Sequence, residues 1–400
     1  MKQGFRENVS LEQAVDGLLR LLSPVDVETV DLEDSVGRVA AADVEAERAV
    51  PHYDRAAMDG YALRAEDTHG ASETSPVRLD VVERDGDLEA GEAAYVHTGS
   101  EVPEGADAVV RVERTNEVAD AVEVEVALSE GENVADVGED VEEGETVVPA
   151  GRRIRPSTQA VMRSVGVEDV DVRRRPRVAV VPTGDEVVRS DPAPGEVVGT
   201  NGPMVAEYVE RWGGTAEVRD VVPDDARLLR DAVSDAVSSA DLVATTGGSS
   251  VGERDLLPEV VDDVGEMHVH GVAIKPGHPV GFGEVDGTPV VTLPGYPVSC
   301  VVNAFELLRP ALRALLDHEP EVAPRVSATL TEKLASDVGK RTYTRVTIQE
   351  DAGEHQATPV RTSGASVLSS VSDADGFVVT PESREGYPEG AEVDVELWSA

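Results

Sequence analysis

The sequence predicts a multidomain chain of α/β plus β class: a doubly wound α/β sheet domain, helical and β domains before it, and a small C-terminal β-barrel. Three observations lead there. Residues 175 to 316 alternate apolar, strand-like runs with amphipathic helical ones, the pattern of a parallel sheet covered on both faces. Residues 75 to 150, and again from about 322 onward, are short alternating runs broken by Gly and Pro turns, the pattern of small β domains. Near the N-terminus, "SLEQAVDGLLRLL" at 10 to 22 places apolar residues at helical spacing behind a Ser N-cap.

In order along the chain, that first helix is followed by "VGRVAAADVEAERAVP" and then by "PHYDRAAMDGYA" at 51 to 62. The runs "PVRLDVVERDG", "AAYVHTG", "DAVVRVERT", "AVEVEVAL" and "ETVVPAG" are the strands of the first β domain. A second helix, "RPSTQAVMRSVG", is expected to return to the neighbourhood of the first. "PRVAVVPTGDEV", "GPMVAEYVERWGG", "AEVRDVVPDD", "ARLLRDAVSDAVSSA" and "DLVATTGG" then read strand, helix, strand, helix, strand. "LLPEVVDDV", "VVTLPG" and "PVSCVVNAFELLRPALRALL" continue the alternation. Strands return in "PRVSATLTE", "RTYTRVTIQ", "GFVVTPE" and "AEVDVELW". The expected divisions are 1–50 with 145–174, 51–144, 175–318 and 319–400.

Composition narrows the function. A single cysteine, Cys300, excludes an internal disulfide and a Cys-cluster zinc site, and it is expected to be a small core residue. No apolar run reaches the roughly 18 residues of a membrane span, and the N-terminus lacks a signal peptide's apolar region. A cytoplasmic protein is therefore expected. The net charge of −44 is spread along the chain, and lysine is confined to Lys2, Lys275, Lys333 and Lys340. That pattern suits a haloarchaeal cytoplasm of molar salt, where the Debye length is about 3 Å and dispersed like charges barely repel. It argues against nucleic-acid binding, which needs a basic face.

Ligands of an open parallel sheet sit outside the carboxyl ends of its strands. Three sharp loops fall there: "PTGDE" with Thr183 and Gly184, "TTGGSSVGERD" with Gly247, Gly248, Ser249 and Ser250, and "LPGYPVS" with Pro294, Gly295 and Pro297. Glycines let backbone N–H groups approach an anion, and Ser249, Ser250 and Ser299 add hydroxyl donors. Glu186 and Asp255 would repel a phosphate, so their expected use is to hold a divalent cation, Mg²⁺. One such loop alone is simply a turn, and one such acid is a helix cap or a solvated group; three loops in one domain, two ending in carboxylates, point to a phosphate-and-metal site. There is neither a Walker A ending nor a dinucleotide Gly-x-Gly-x-x-Gly. Lys275, kept in "GVAIKPGHPVGFG" where lysine is nearly absent, reads as an ammonium aimed at an oxyanion.

The motifs "AAMDGYA", "TGSEVPEGADAVV", "GEDVEEG", "TGDEV", "TTGGSSVGERD", "IKPGHP" and "LPGYPVS" together resemble, in order and over essentially the whole chain, the MoeA family of molybdopterin molybdenumtransferases. The resemblance implies that the sheet domain is of the molybdopterin-binding type. It also implies an elongated homodimer whose cleft lies between the sheet domain of one subunit and N-terminal parts of the other. The implied reaction takes molybdate and adenylylated molybdopterin to molybdenum cofactor and AMP, assisted by Mg²⁺, with transient contact to a molybdopterin adenylyltransferase. Carried over by position, Asp59, Thr98, Asp140, Glu186, Asp255 and one of Asp224 and Asp225 (Asp225 taken here) resemble the catalytic set, with Glu186 and Asp255 the metal ligands. Lys275, Ser299 and Arg345 resemble the oxyanion ligands, with His278, Ser363 and Ser366 beside them. The chain departs from the family where His278 replaces a second lysine, Tyr296 an asparagine and Ala365 a serine. These departures leave open a tungstate-inserting paralog. A molybdopterin adenylyltransferase would lack the "MDGYA" half and the C-terminal barrel, and a non-catalytic scaffold would be free to lose Asp59, Glu186 or Asp255.

Overall fold

In the computed structural model the described residues are 9–83, 86–247, 256–319, 323–351, 353–360 and 366–398. The first helix, Leu11–Leu19, starts at a capping box in which the Ser10 hydroxyl accepts from the Gln13 N–H and the Gln13 side chain accepts from the Ser10 N–H. This reciprocal pair satisfies two orphan donors of the first turn. Its buried stripe, Leu11, Ala14 and Leu18, belongs to the same core as Phe282, Leu308 and Leu312 of the α/β domain. The second helix, Pro156–Ser164, packs elsewhere, with Leu32, Ile154 and Val172 around its Met162. The expected return of the second helix to the first is therefore not met. Instead the second helix accompanies an antiparallel pair, Val27–Asp31 with Asp169–Arg173, through which the chain leaves and re-enters this unit.

Between those two passages lies a six-stranded sheet. Its order is Ala108–Arg111, Gly60–Leu63, Glu92–Val96, Val77–Val82, Ala121–Val124, Thr115–Val118. Tyr61, Leu63, Leu79, Val110 and Val122 fill one of its cores. Gly60 is required where the first two strands meet, because a Cβ there would lie 1.8 Å from the Val110 carbonyl oxygen.

The α/β sheet has the order Thr215–Val218, Arg177–Pro182, Leu242–Thr246, Thr288–Leu293, Gly281–Val285, Glu266–His270. The first four strands are parallel, Gly281–Val285 runs against them and Glu266–His270 runs with them again, so the expected parallel sheet carries one antiparallel strand. The cause is local. Asp286 and Gly287 both take positive φ, 51° and 78°, which closes a two-residue hairpin of the I′ kind and forbids a crossover there. Both faces are covered, as alternation requires: Val178 and Val180 pack with Val205, Leu293 and Leu308, whereas Ala179 and Val181 pack with Val233, Val243 and Val290.

The C-terminal strands close a five-stranded barrel. Arg341–Asp351 pairs with Glu354–Pro359 on one side and Gly376–Thr380 on the other, and Arg325–Leu330 and Glu392–Leu397 complete the ring. The barrel is stitched to the α/β domain by a strand and by an aromatic chain, besides ion pairs such as Arg309–Glu396. The short strand Ile274–Lys275 adds in parallel to Arg341 and Thr342, and an aromatic chain runs from Trp212 through Phe305 and Trp398 to Phe377 and Tyr343, with ring centroids 4.9–5.2 Å apart. Among the described residues, no helix is long and apolar enough to cross a membrane.

Candidate functional site

The loops at the carboxyl ends of the three central strands meet one another. After Arg177–Pro182, the Thr183 N–H donates to the Thr246 carbonyl at 3.0 Å and the Gly184 N–H to Val222 at 3.1 Å. After Leu242–Thr246, the Gly247 N–H donates to Leu293 at 3.2 Å. Gly247 has φ +113°, and a Cβ on it would stand 2.3 Å from the Thr183 carbonyl oxygen, so only glycine serves there. A Cβ on Gly295 would meet Gly247 Cα at 3.3 Å. Thr183, Gly184, Gly247 and Gly295 are thus one patch, with Pro294 buried behind it. Gly248, Ser249, Ser250 and Asp255 lie outside the described residues.

Asn201, at the start of the helix Asn201–Arg211, joins this patch and was missed by sequence reasoning. Its Nδ2 donates to the Gly295 carbonyl at 2.7 Å. Its Oδ1, like the hydroxyls of Thr183 and Thr245, is buried without a hydrogen-bond partner among the described residues. Buried polar atoms of this kind call for water or a ligand. The signal in the sequence was only a Thr-Asn-Gly before an amphipathic helix, which reads as an ordinary cap.

The acids around the patch differ in what they do. Glu186 is exposed, and its carboxylate lies over Gly184, whose Cβ position would be 2.9 Å from Glu186 Oε2. Asp185 Oδ1 accepts from the Asp224 N–H at 3.0 Å, which ties Asp224 into the same loop network. Asp225 instead caps the helix Ala226–Val237, accepting from the Arg227 and Leu228 N–H groups at 2.9 and 3.0 Å. Among the described residues, no group of three or more His, Cys, Asp and Glu is placed to hold a metal.

The loop carrying Gly295 runs into the helix Pro297–Asn303, where Pro297 occupies the first turn and Ser299 is buried. Asn303 Nδ2 donates to the Ser299 carbonyl at 2.7 Å and to the Gly277 carbonyl at 3.2 Å. The "IKPGHP" turn is therefore seated on the helix that begins at the glycine patch. Lys275 projects from it, exposed, with Nζ 2.8 Å from Asp337 Oδ2 of the barrel. His278 is partly buried in the same turn. Burial, then Lys340, then His270 push its imidazole below the usual histidine range. Arg345 lies three residues beyond Thr342, the strand partner of Lys275, and its guanidinium donates to the Ser370 hydroxyl. Ser370 is buried and was not among the expected residues; Ser366 is exposed and Ser363 lies outside the described residues. Cys300 is fully buried and its thiol is pushed up to about 12 by desolvation, as fits a core residue and not a nucleophile.

The N-terminal motifs form a second cluster. Asp59 Oδ1 accepts from the Thr98 N–H at 2.6 Å and from its hydroxyl at 2.9 Å. Those two donors hold the Asp59 carboxyl below its ordinary range. The Ala56 N–H donates to Ser100 and the Gly99 N–H returns to Ala56, both at 2.8 Å. Asp140 is exposed on a third loop, docked by its own N–H to the Val50 carbonyl at 3.0 Å. Asp59, Thr98 and Asp140 thus belong to loops on the N-terminal β units, and Glu186, Lys275 and Ser299 to the α/β domain.

Three family models match in chain order. "MoeA N-terminal region (domain I and II)" spans residues 9–166, "Probable molybdopterin binding domain" spans 179–314, and "MoeA C-terminal region (domain IV)" spans 327–398. A Methanocaldococcus jannaschii protein named for molybdopterin biosynthesis is 36% identical over 381 residues, covering 93% of this chain and 92% of that one. The chain belongs to the MoeA family. The molybdopterin molybdenumtransferase of Bacillus subtilis is 30% identical over 406 residues, covering 98% and 94%. A crystal structure of a molybdopterin biosynthesis MoeA protein from Pyrococcus horikoshii superposes with a TM-score of 0.84 at 36% identity, covering 98% of this chain and all of that one. The architecture of the MoeA family accounts for the closed barrel and for an α/β domain flanked by N-terminal β units.

Proposed function

We propose that this chain is a molybdopterin molybdenumtransferase, which inserts molybdate into adenylylated molybdopterin and releases AMP. The observation that carries this reading is the arrangement around one helix. Its N-terminal loop joins the glycine patch, with Thr183 and Asn201 atoms that have no partner among the described residues, and its Asn303 side chain carries the Lys275–His278 turn through the Gly277 carbonyl. The backbone N–H groups of Thr183, Gly184 and Gly247 are spent on carbonyls. The Thr183 and Thr245 hydroxyls, without a partner among the described residues, can donate to a phosphate, and the Lys275 ammonium suits a tetrahedral oxyanion. The two reacting ends of the chemistry, dithiolene with oxyanion and phosphate with AMP, then have separate holders within one site. Donors fixed beforehand where charge develops are the largest usual source of rate.

In this reading Glu186, with Asp255, would hold Mg²⁺. The exposed carboxylate of Glu186 over the Gly184 loop is the oxygen donor that ion takes beside substrate phosphates, and the bound ion would neutralise charge on the phosphate. Of the adjacent acids, Asp224 is the better candidate for the loop, since Asp225 is occupied as a cap. We also propose that two copies pair so that the Asp59–Thr98 cluster of one faces the α/β loops of the other, as the resemblance to the MoeA family implies. Release of AMP from adenylylated molybdopterin, dependent on added molybdate, tests the assignment; AMP release indifferent to the oxyanion contradicts it. Tungstate in place of molybdate decides between insertion of the two metals.

The charge of −44 and the four lysines support a molar-salt setting. Tryptophan emission should then shift to the red when salt is dialysed below about 0.5 M, where like charges on the surface begin to feel one another. Unchanged emission in dilute buffer removes that reading. A pH dependence follows from His278. Free of ligand its folded value is lowered by burial and by Lys340 and His270, while a bound dianion raises it. Oxyanion affinity should therefore be lowest above pH 7 and rise as pH falls below about 6.5. Molybdate saturation curves at pH 5.5, 6.5 and 7.5 check this; the same slope in His278→Gln means the imidazole does not meet the anion.

A further inference from the structure

We propose that Asp337 is an internal stand-in for the oxyanion: its carboxylate holds the Lys275 ammonium at rest, and an incoming tetrahedral dianion binds by drawing Lys275 away from it. This rests on the reading of Lys275 as an oxyanion ligand. The pair joins two domains, with Lys275 Nζ on the α/β turn and Asp337 Oδ2 on the barrel 2.8 Å apart. Both side chains are half exposed or more, at 50% and 62%. Exposed pairs of this kind hold weakly and exchange readily for a better partner.

The two sides differ in freedom. Asp337 sits in a turn whose backbone is pinned: the Ser336 N–H donates to Glu385 at 2.8 Å, the Gly339 N–H to Glu382 at 2.7 Å, and the Ser336 hydroxyl to Thr342 Oγ1 at 2.7 Å. Its carboxylate therefore stays where the barrel puts it. Lys275 has its Cα fixed by pairing with Thr342, yet its ammonium rides on a flexible four-carbon stem. The ammonium is thus the part that moves.

Charge gives the contact a purpose. Two of the four lysines, Lys275 and Lys340, flank Asp337, and the Lys340 N–H donates to the Asp337 carbonyl at 3.3 Å. Lys275, then Lys340, hold the Asp337 carboxyl below its ordinary range, so it is ionised at neutral pH. An ammonium left bare would collect any anion. One already matched to a single negative charge yields to a dianion, which offers two, and resists a monovalent anion, which offers no more than Asp337 does. Asp337 is in this account a selectivity residue, not a catalytic one.

Equilibrium dialysis of the full chain against inorganic molybdate, with no pterin present and tryptophan emission as the check on folding, tests this. Asp337→Asn should tighten molybdate binding about three- to fivefold, the scale of an exposed ion pair, and make it more sensitive to chloride. Asp337→Glu, which keeps the charge, should bind as wild type does. Lys275→Gln should weaken binding at least about tenfold, as for loss of a charge-assisted contact. Unchanged or weaker binding in Asp337→Asn, with Lys275→Gln impaired, overturns the stand-in while leaving Lys275 as a ligand. Unchanged binding in Lys275→Gln removes the oxyanion reading itself, and the stand-in with it.

Discussion

Asp59→Asn should lower AMP release by about a hundredfold, the scale of losing one preorganised electrostatic group, while leaving the thermal midpoint within about 2 °C, the shift expected from less than 1 kcal/mol. The substitution is chosen because it separates two roles. Asp59 Oδ1 accepts from both the N–H and the hydroxyl of Thr98, and an asparagine oxygen can accept the same two bonds. If the acid only braces the loop 97–100, Asn suffices and turnover survives. If its charge faces the cleft, turnover falls while the loop stays put. Steady-state AMP release together with a melting curve reads both quantities, and near-normal turnover in a well-folded variant makes Asp59 a structural residue.

The second large effect concerns the seam between barrel and α/β domain. Phe377 is 2% exposed and touches Tyr343 and Trp398, with ring centroids 5.2 and 4.9 Å away. Trp398 in turn meets Phe305, which meets Trp212. The chain has only four Phe and two Trp, and two of the former and both of the latter are spent here. Phe377→Ala should cost about 3–5 kcal/mol, through lost transfer energy and the cavity left behind. Because both tryptophans lie in the seam, intrinsic emission reports it directly: denaturant midpoints should fall and native emission should shift to the red. A midpoint within experimental scatter of wild type would mean that the barrel is held by its other contacts with the α/β domain, the Ile274–Lys275 strand and the Lys275–Asp337 and Arg309–Glu396 pairs among them.

Much of this was legible because each element announces itself locally. Ser10 with Gln13, the apolar stripe of the first helix, and the strand-to-helix loops ending in Gly need only neighbours in sequence to be read. What was illegible depended on partners far along the chain. The first helix carries a stripe that fits any apolar groove, and nothing in residues 10 to 22 says that the groove is formed by Phe282 and Leu308. The Asp286–Gly287 turn carried a hairpin signal that the strand–helix rhythm around it outweighed. Asp224 and Asp225 are equivalent in sequence, and only the position of the next helix makes one a cap. Asn201 and Asp337 act across 94 and 62 residues, on Gly295 and Lys275, and no periodicity encodes contacts at such distance. The strand-end position of the loops brought Thr183 together with Gly247 and Gly295, and the family resemblance supplied what spacing did not, Asp59 with Thr98.

The central claim is that this chain puts molybdenum onto the pterin dithiolene. The most direct measurement is the metal content of the pterin product after one turnover of purified protein with adenylylated molybdopterin, Mg²⁺ and molybdate. The expected result is one metal per pterin, formed in step with one AMP, and reduced sharply in Lys275→Gln. Pterin recovered without metal, or metal bound equally well when Lys275 is removed, would contradict the account.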